Sequence, residues 1–335
     1  MMRNVLLSIT AALALAAVVA ISADASVSGL KSSCPGKGSL CQPVPVFAAS
    51  YTGPGDVQAY TMFWGLRAVN AAKATAAVAA LDIRRADGQS CTVHVMASGD
   101  LDVSTGTPCT GTGPTGTTGA STVTGFLTST TAGVSKFYDQ MAGNACTSAS
   151  CDLIQATTAN QPEFLLSGCP GTGVCLRTTT NGQAIVGAHA YSLSNNIVTI
   201  SAVAQRSAAT IEVDFVSADN SNHINAIISS PSTLNLWRLW ANASALDFTS
   251  SDAALHAANG VINGASSSIN IDGTRTTGSL SGGNDNVAPS VMRTYGTIVA
   301  YFKEGGIVDA VAASAGTQTS LCHNQFTYWG TATSC

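Results

Sequence analysis

Carboxylates are the residues of this chain best suited to chemistry, and they are scarce: 335 residues hold 18 Asp and Glu together, with Glu only at Glu163, Glu212 and Glu304. Two Asp residues lie in small polar loops after predicted strands. Asp219 sits in Val216-Ser217-Ala218-Asp219-Asn220-Ser221-Asn222, and Asp285 in Ser281-Gly282-Gly283-Asn284-Asp285-Asn286. Loops on a rigid scaffold are where binding and catalytic groups concentrate. Two carboxyl groups flanking a glycosidic bond hydrolyse it by acid–base chemistry when roughly 5–5.5 Å apart for retention, or ~6.5–9.5 Å for inversion. The competing reading is a pair of turns, because Asp and Asn hydrogen-bond their own backbone there, and the residues alone favour the turns. Asp100-Leu101-Asp102 puts two carboxylates on one strand face, which reads as a solvated strand start, with a bound calcium ion as the alternative. Trp237 and Trp240, three residues apart in a predicted strand, fall on opposite faces. One is expected in the core. The other either covers the sheet or offers its ring to a sugar.

Other chemistries lack their residues. There is no G-x-S-x-G elbow, no P-loop and no G-x-G-x-x-G between a strand and a helix. His94, His189, His223, His256 and His323 show no metal-ligand spacing and read as isolated surface or turn residues. No cofactor or metal is implied. With 14 Lys and Arg spread thinly and a net charge of −4, the chain has no basic stripe for a nucleic acid. A 45% hydrophobic and only 10% charged composition also argues against disorder.

The N-terminus predicts export. Arg3 precedes an apolar run from Val5 to Ile21, and Ala23 and Ala25 form a small-x-small site, so 1–25 reads as a signal peptide cleaved after Ala25. The alternative is an uncleaved anchor. No later stretch is apolar enough to span a bilayer, so a secreted protein, extracellular or periplasmic and free of the membrane after signal removal, is expected. The 10 cysteines fall into five local pairs: Cys34 with Cys41, Cys91 with Cys109, Cys146 with Cys151, Cys169 with Cys175, and Cys322 with Cys335. None has the C-x₂₋₄-C spacing of a zinc site, and an oxidising compartment favours disulfides.

The elements holding these residues are mostly predicted strands. A short helix is expected over Trp64–Ala72. Beyond it, β-branched runs bounded by Gly, Asn, Ser and Thr predict strands at 80–85, 92–96, 184–187, 197–204, 210–216, 224–228, 234–240, 268–271 and 297–302. That spacing predicts an all-β sandwich with a few short helices and long loops. Residues 104–132, nearly all Thr, Gly, Ser and Ala, read as a surface excursion with little to bury. Tyr328 and Trp329 are expected to close the core beside Cys322. The domain reading is a signal peptide at 1–25, a Cys-bounded leading segment at 26–54 and one sandwich domain at 55–335.

Three segments resemble the α-L-arabinofuranosidase B catalytic domain and the laminin-G-like, concanavalin-type jelly rolls related to it. Gly65-Leu66-Arg67-Ala68 through Leu81-Asp82-Ile83-Arg84-Arg85 is similar to the family's Arg-Ala helix and following strand. Phe137-Tyr138-Asp139-Gln140 with Gly143-Asn144, Ile154-Gln155-Ala156 and Asn160-Gln161-Pro162 resembles its Tyr-Asp-Gln segment. Asn324-Gln325-Phe326-Thr327-Tyr328-Trp329-Gly330 is similar to the closing strand of the jelly rolls. Cys34 and Cys41 also look like the bridge near the start of the arabinofuranosidase domain.

The resemblance implies a concanavalin-like jelly roll and a polysaccharide or surface glycan as partner. The family's nucleophile is a Glu in Asn-Ala-Glu-Thr-Asn, matched most closely by Ala218-Asp219-Asn220-Ser221. Asp is one methylene shorter and pulls the carboxylate back by roughly 1.5 Å, comparable to the misplacement that costs ~10²-fold in rate. The family's general acid, an Asp after Gly-Gly, resembles Asp285 with one residue inserted. The family's adjacent Cys-Cys pair is absent. Two functions follow. One is a retaining glycosidase acting on arabinose-containing polysaccharide, with Asp219 as nucleophile, Asp285 as general acid, no cofactor, and Asn220, Trp237 and Trp240 as sugar contacts. The other is a non-catalytic, laminin-G-like module for glycan binding or cell-surface adhesion. A structural surface protein is a third, blander reading.

Overall fold

The computed structural model describes residues 51–104, 112–113, 116–117, 120, 122–141, 146, 151–192, 197–206, 212–217, 225–229, 236–242, 244–250, 253–281, 286–331 and 335. All of them fall in one compact unit, residues 49–335. The expected signal peptide and Cys34, Cys41 and Cys109 lie outside the described residues.

Pro54 begins α1 (Pro54–Val57), with the Asp56 carboxylate accepting from the Gly53 N–H. β1 (Met62–Gly65) follows, all four residues buried, and only then α2 (Ala71–Thr75), whose start is fixed by the Asn70 side chain accepting from the Lys73 N–H. The helix expected over 64–72 is therefore corrected. Burial on both faces of β1 makes its apolar run continuous, and periodicity cannot separate such a strand from a helix. The chain continues through β2 (Ala79–Arg85), β3 (Ser90–His94), the two-residue β4 (Thr112–Gly113) and β5 (Gly116–Thr117), α3 (Val123–Phe126) and β6 (Ala132–Phe137). In α3, Val123 and Phe126 are buried, so the Thr-Gly-Ser-rich stretch does contribute to the core.

Next come β7 (Leu153–Ile154), β8 (Glu163–Leu165), β9 (Cys175–Thr178), β10 (Ile185–Gly187), β11 (Tyr191–Ser192), β12 (Val198–Arg206), β13 (Val213–Ser217), β14 (Asn225–Ser229) and β15 (Leu236–Ala241). The last run is β16 (Ser244–Thr249), β17 (His256–Ile262), β18 (Gly264–Ile271), β19 (Thr274–Leu280), β20 (Asn286–Val287), β21 (Ser290–Thr294), β22 (Ala300–Asp309) and α4 (Ala315–Trp329).

Among the described residues every strand pair is antiparallel, and the pairing folds one long ladder over itself. One layer runs β19-β18-β17-β12-β22, with β1 and β9 sharing the far edge of β22. The other runs β16-β15-β14-β13-β21-β10. β8, β6 and β7 connect them, and β2-β3 extends from β6. The layers meet closely where glycine allows it. A Cβ on Gly305 of β22 would lie 2.2 Å from Val216 Cγ2 of β13, and one on Gly260 of β17 would lie 2.6 Å from Leu239 Cδ1 of β15. Phe215 and Trp237 stack between the layers with ring centroids 5.2 Å apart. This is the β-sandwich that the strand pattern predicts.

Cys146–Cys151, Cys169–Cys175 and Cys322–Cys335 are bonded as their spacing predicts. Cys91 is disulfide-bonded as well. Among the described residues no helix is long and apolar enough to cross a membrane. The segment likened to a closing strand is instead the end of α4, N-capped by Ser314 and stopped by Gly330 in the left-handed conformation. The helix buries Gln318, Leu321, Cys322, Gln325 and Trp329, so two amides stand within an otherwise apolar stripe. Gln318 donates to Ser268 Oγ of β18, and Gln325 to Glu304 of β22.

The Tyr-Asp-Gln segment fastens β6 to β1. Gln140 accepts from the Val69 N–H and donates to the carbonyls of Gly65 and Arg67, while Asp139 Oδ1 accepts from the Phe63 and Met141 N–H groups at 3.0 Å. Burial nevertheless pushes the Asp139 carboxyl up from 3.8 to about 6, against the pull of those donors. The folded state then holds this proton more tightly than the unfolded chain, so the contribution is present below the unfolded value and is lost as pH rises through about 6. Asp139→Asn is expected to flatten the fall in melting temperature across that window. It should also stabilise the protein near neutral pH by up to about 3 kcal/mol, read from thermal melts between about pH 4 and 7.5.

Candidate functional site

Strand direction gathers one set of ends at a single edge of the sandwich. β13 ends at Ser217 and β21 begins at Ser290, and these two residues are paired. The row continues through Ala226 of β14 to Trp240 of β15 on one side, and to Val186 of β10 on the other. Directly opposed residues of antiparallel strands share a face. Leu239 and Val216 point between the layers, so this row belongs to the outer face of the second layer. Ser217 and Ser290 are nonetheless fully buried, whereas Trp240 is half-buried. Alongside, β11 pairs with β20, and the Tyr191 hydroxyl donates to Asp309 Oδ2 at 2.7 Å at the end of β22.

The adjacent row on that face carries charge. Asp247, Arg238, Ile228, Asp214 and Arg293 are successive cross-strand partners. Arg238 binds Asp247 through two hydrogen bonds of 2.5 and 2.7 Å, and its guanidinium lies 4.9 Å from the Trp240 ring centroid. Tyr295 donates to Asp214 Oδ2 at 2.6 Å, and Arg293 lies 5.3 Å from the Tyr295 ring. Burial and the adjacent Asp214 carboxylate push the Tyr295 hydroxyl well above its ordinary value, so it remains a donor. With 40% of its surface exposed, Tyr295 stands over a cleft of about 460 Å³ lined also by Gln155, Asn181, Val186, Arg293 and Thr294. Aromatic rings held flat by guanidinium groups, beside carboxylate and amide groups, suit a polyhydroxylated ligand.

Of the residues expected from sequence, Asp219, Asn220 and Asp285 lie outside the described residues. The two tryptophans do face opposite ways. Trp237 is 3% exposed and stacked on Phe215, so it belongs to the core, and Trp240 is the one on the outer face. Asp214 was missed by the sequence reading. Its signal was a lone carboxylate inside the apolar strand Val213-Asp214-Phe215-Val216, where only a partnered acid is tolerated.

The other layer has a cleft of about 470 Å³ at the end of α4, with Leu66, Leu101, Val103 and Trp329 among its walls and Asp100 and Tyr328 at its rim. Tyr328 donates to Asp100 Oδ1 at 2.5 Å, and Ser98 donates to Oδ2 of the same residue. Asp100 is thus held as a hydrogen-bond acceptor. Among the described residues no group of three or more His, Cys, Asp or Glu side chains is placed to hold a metal ion.

No family model and no curated protein matches the sequence. Solved structures do match its fold. A GH54 α-L-arabinofuranosidase soaked with a cyclic sulfate inhibitor superposes with a TM-score of 0.59 at 14% identity, over 82% of this chain and 64% of that one. This chain has the arabinofuranosidase fold. An arabinofuranosidase complexed with arabinofuranosyl-α-1,2-xylobiose gives a TM-score of 0.57, with the same identity and coverage. The chain therefore spans less than two thirds of the length of these arabinofuranosidases. At this identity the likeness concerns architecture: a mostly β, antiparallel, jelly-roll-like sandwich with few helices.

Proposed function

We propose that the chain is an exported carbohydrate-active domain of arabinofuranosidase type, recognising arabinose-containing polysaccharide at the edge where β13 ends and β21 begins. The observation that carries this reading is the Ser217–Ser290 pairing. In the chain Ser217 leads into the segment bearing Asp219, and Asp285 directly precedes β20, whose next strand is the β21 that Ser290 begins.

In the hydrolytic form of the proposal, Asp219 attacks the anomeric carbon while Asp285 protonates the departing glycosidic oxygen. Water then releases the glycosyl group from Asp219, with Asp285 taking the proton. Asn220 and Trp240 supply contacts to the sugar, and the Tyr295–Arg293–Asp214 group extends the polar and aromatic surface away from the reacting bond. The arabinofuranoside ligands of the structural neighbours support this choice of sugar.

A second reading is favoured by a specific feature. Asp219 is short for a nucleophile, while the outer face already offers Trp240 and Tyr295 as platforms, which fits a binding module. The full chain incubated with 4-nitrophenyl α-L-arabinofuranoside separates the two. Release of 4-nitrophenol that is lost in both Asp219→Asn and Asp285→Asn is the result expected of the enzyme. No release together with retention on an arabinan column assigns the module, and neither release nor retention rejects the carbohydrate reading altogether.

A further inference from the structure

At the opposite edge of the sandwich, the turn between β18 and β19 folds back on the start of β17. Asp272 occupies that turn in the left-handed region at φ 47°, an uncommon conformation for a residue other than glycine. It is fixed there by its own N–H donating to the Ala257 carbonyl and by its Oδ1 accepting from the Ala257 N–H at 2.8 Å. Its other oxygen, Oδ2, lies 2.5 Å from His256 Nδ1. Across the ring, His256 Nε2 lies 3.2 Å from Ser250 Oγ, just past the end of β16. Trp237 meets the imidazole edge-on at 5.6 Å between centroids and holds its plane.

These are the relations of a serine, a base and an orienting carboxylate, which are recognised by geometry rather than by order in the chain. With Nδ1–H donated to Asp272, Nε2 carries the lone pair that faces the serine hydroxyl. Ser250, His256 and Asp272 are 6%, 4% and 8% exposed, so the constellation is shielded from bulk water.

We propose that Ser250 is an activated, acyl-accepting nucleophile, with His256 as its base and Asp272 orienting the imidazole, and that this site cleaves esters of small, acetyl-sized acids. Ser250 Oγ bonds to the ester carbonyl carbon as His256 Nε2 takes its proton. The C–O bond to the alcohol then breaks, and the alcohol leaves with that proton. Water, deprotonated by His256, next attacks the acyl-serine, the bond from the acyl carbon to Ser250 Oγ breaks, His256 returns the proton to Oγ, and the carboxylic acid is released. This site lies at the far end of the strands from Ser217 and Ser290, so it does not depend on the arabinofuranoside reading.

The test is to treat the native, disulfide-intact full chain with a fluorophosphonate probe, map the adduct by peptide mass spectrometry, and follow 4-nitrophenyl acetate hydrolysis in parallel. The expected result is an adduct on Ser250, absent in Ser250→Ala, forming at least about 10²-fold more slowly in His256→Gln. Acetate release should fall by a similar factor in both variants. An unlabelled Ser250 in the unaltered protein overturns the proposal without recourse to any variant. So does labelling that proceeds at an unchanged rate in a folded His256→Gln chain.

Discussion

Asp219→Glu is expected to raise turnover of 4-nitrophenyl α-L-arabinofuranoside by about 10²-fold, an unusual direction for a substitution at a proposed nucleophile. The added methylene moves the carboxylate outward by roughly 1.5 Å, and misplacements of about 1 Å cost on the order of 10²-fold in reactions that depend on near-attack geometry. Both side chains carry the same charge near neutrality, so the gain comes from reach. It should appear in kcat with KM little changed, because attack on the anomeric carbon is realised only in the transition state. Asp219→Asn, which keeps the length but removes the nucleophile, should abolish turnover. Steady-state kinetics on the three proteins decide the matter. Equal rates for the unaltered chain and Asp219→Glu would remove Asp219 from the chemistry and leave the outer face of Trp240 and Tyr295 as a binding surface.

What the sequence showed and concealed follows from how far apart the interacting residues lie. β-branched runs between polar turns located β2, β12, β13 and β15 because each of those signals is local. Cysteine pairs 5, 6 and 13 residues apart were legible for the same reason. Trp64 sits in a strand buried on both faces, where the period-2 pattern disappears. The Ser250–His256–Asp272 group depends on the β17–β18 register, which pairs Ala258 with Ile271 and so brings Asp272 to His256 across 16 residues. His256 therefore looked isolated. α4 escaped because Gln318 and Gln325 interrupt the apolar stripe of Leu321, Cys322 and Trp329 on its buried face, matched to buried polar groups of the sheet beneath it. That match involves a β-bulge. Val203 pairs with Glu304 and Ala204 with Phe302, leaving Lys303 as the extra residue of β22. Lys303 Nζ donates to the Thr172 and Val174 carbonyls, and both it and Glu304 reach the Trp329 ring.

Glu304→Ala is expected to lower stability by about 3–5 kcal/mol, the cost of leaving a buried charge without its partner. Arg67 and Glu304 are both fully buried, joined by hydrogen bonds from Nε at 2.5 Å and Nη2 at 2.8 Å. Glu304 also accepts from Gln325 Nε2 at 3.2 Å and Trp329 Nε1 at 2.7 Å, so its loss strands three donors at once. Arg67 keeps Asn324 as an acceptor and the Tyr328 ring 4.4 Å away, but no counter-charge. For a chain of this size such a loss corresponds to a melting temperature lower by on the order of 10 °C. The paired change Arg67→Met with Glu304→Leu should recover most of it, because an apolar pair of similar volume needs no desolvation to be offset. Thermal melts of the single and double variants test this directly. If the double variant is no more stable than Glu304→Ala, then the hydrogen bonds to α4, rather than the pairing of charges, hold this end of the helix on the sheet.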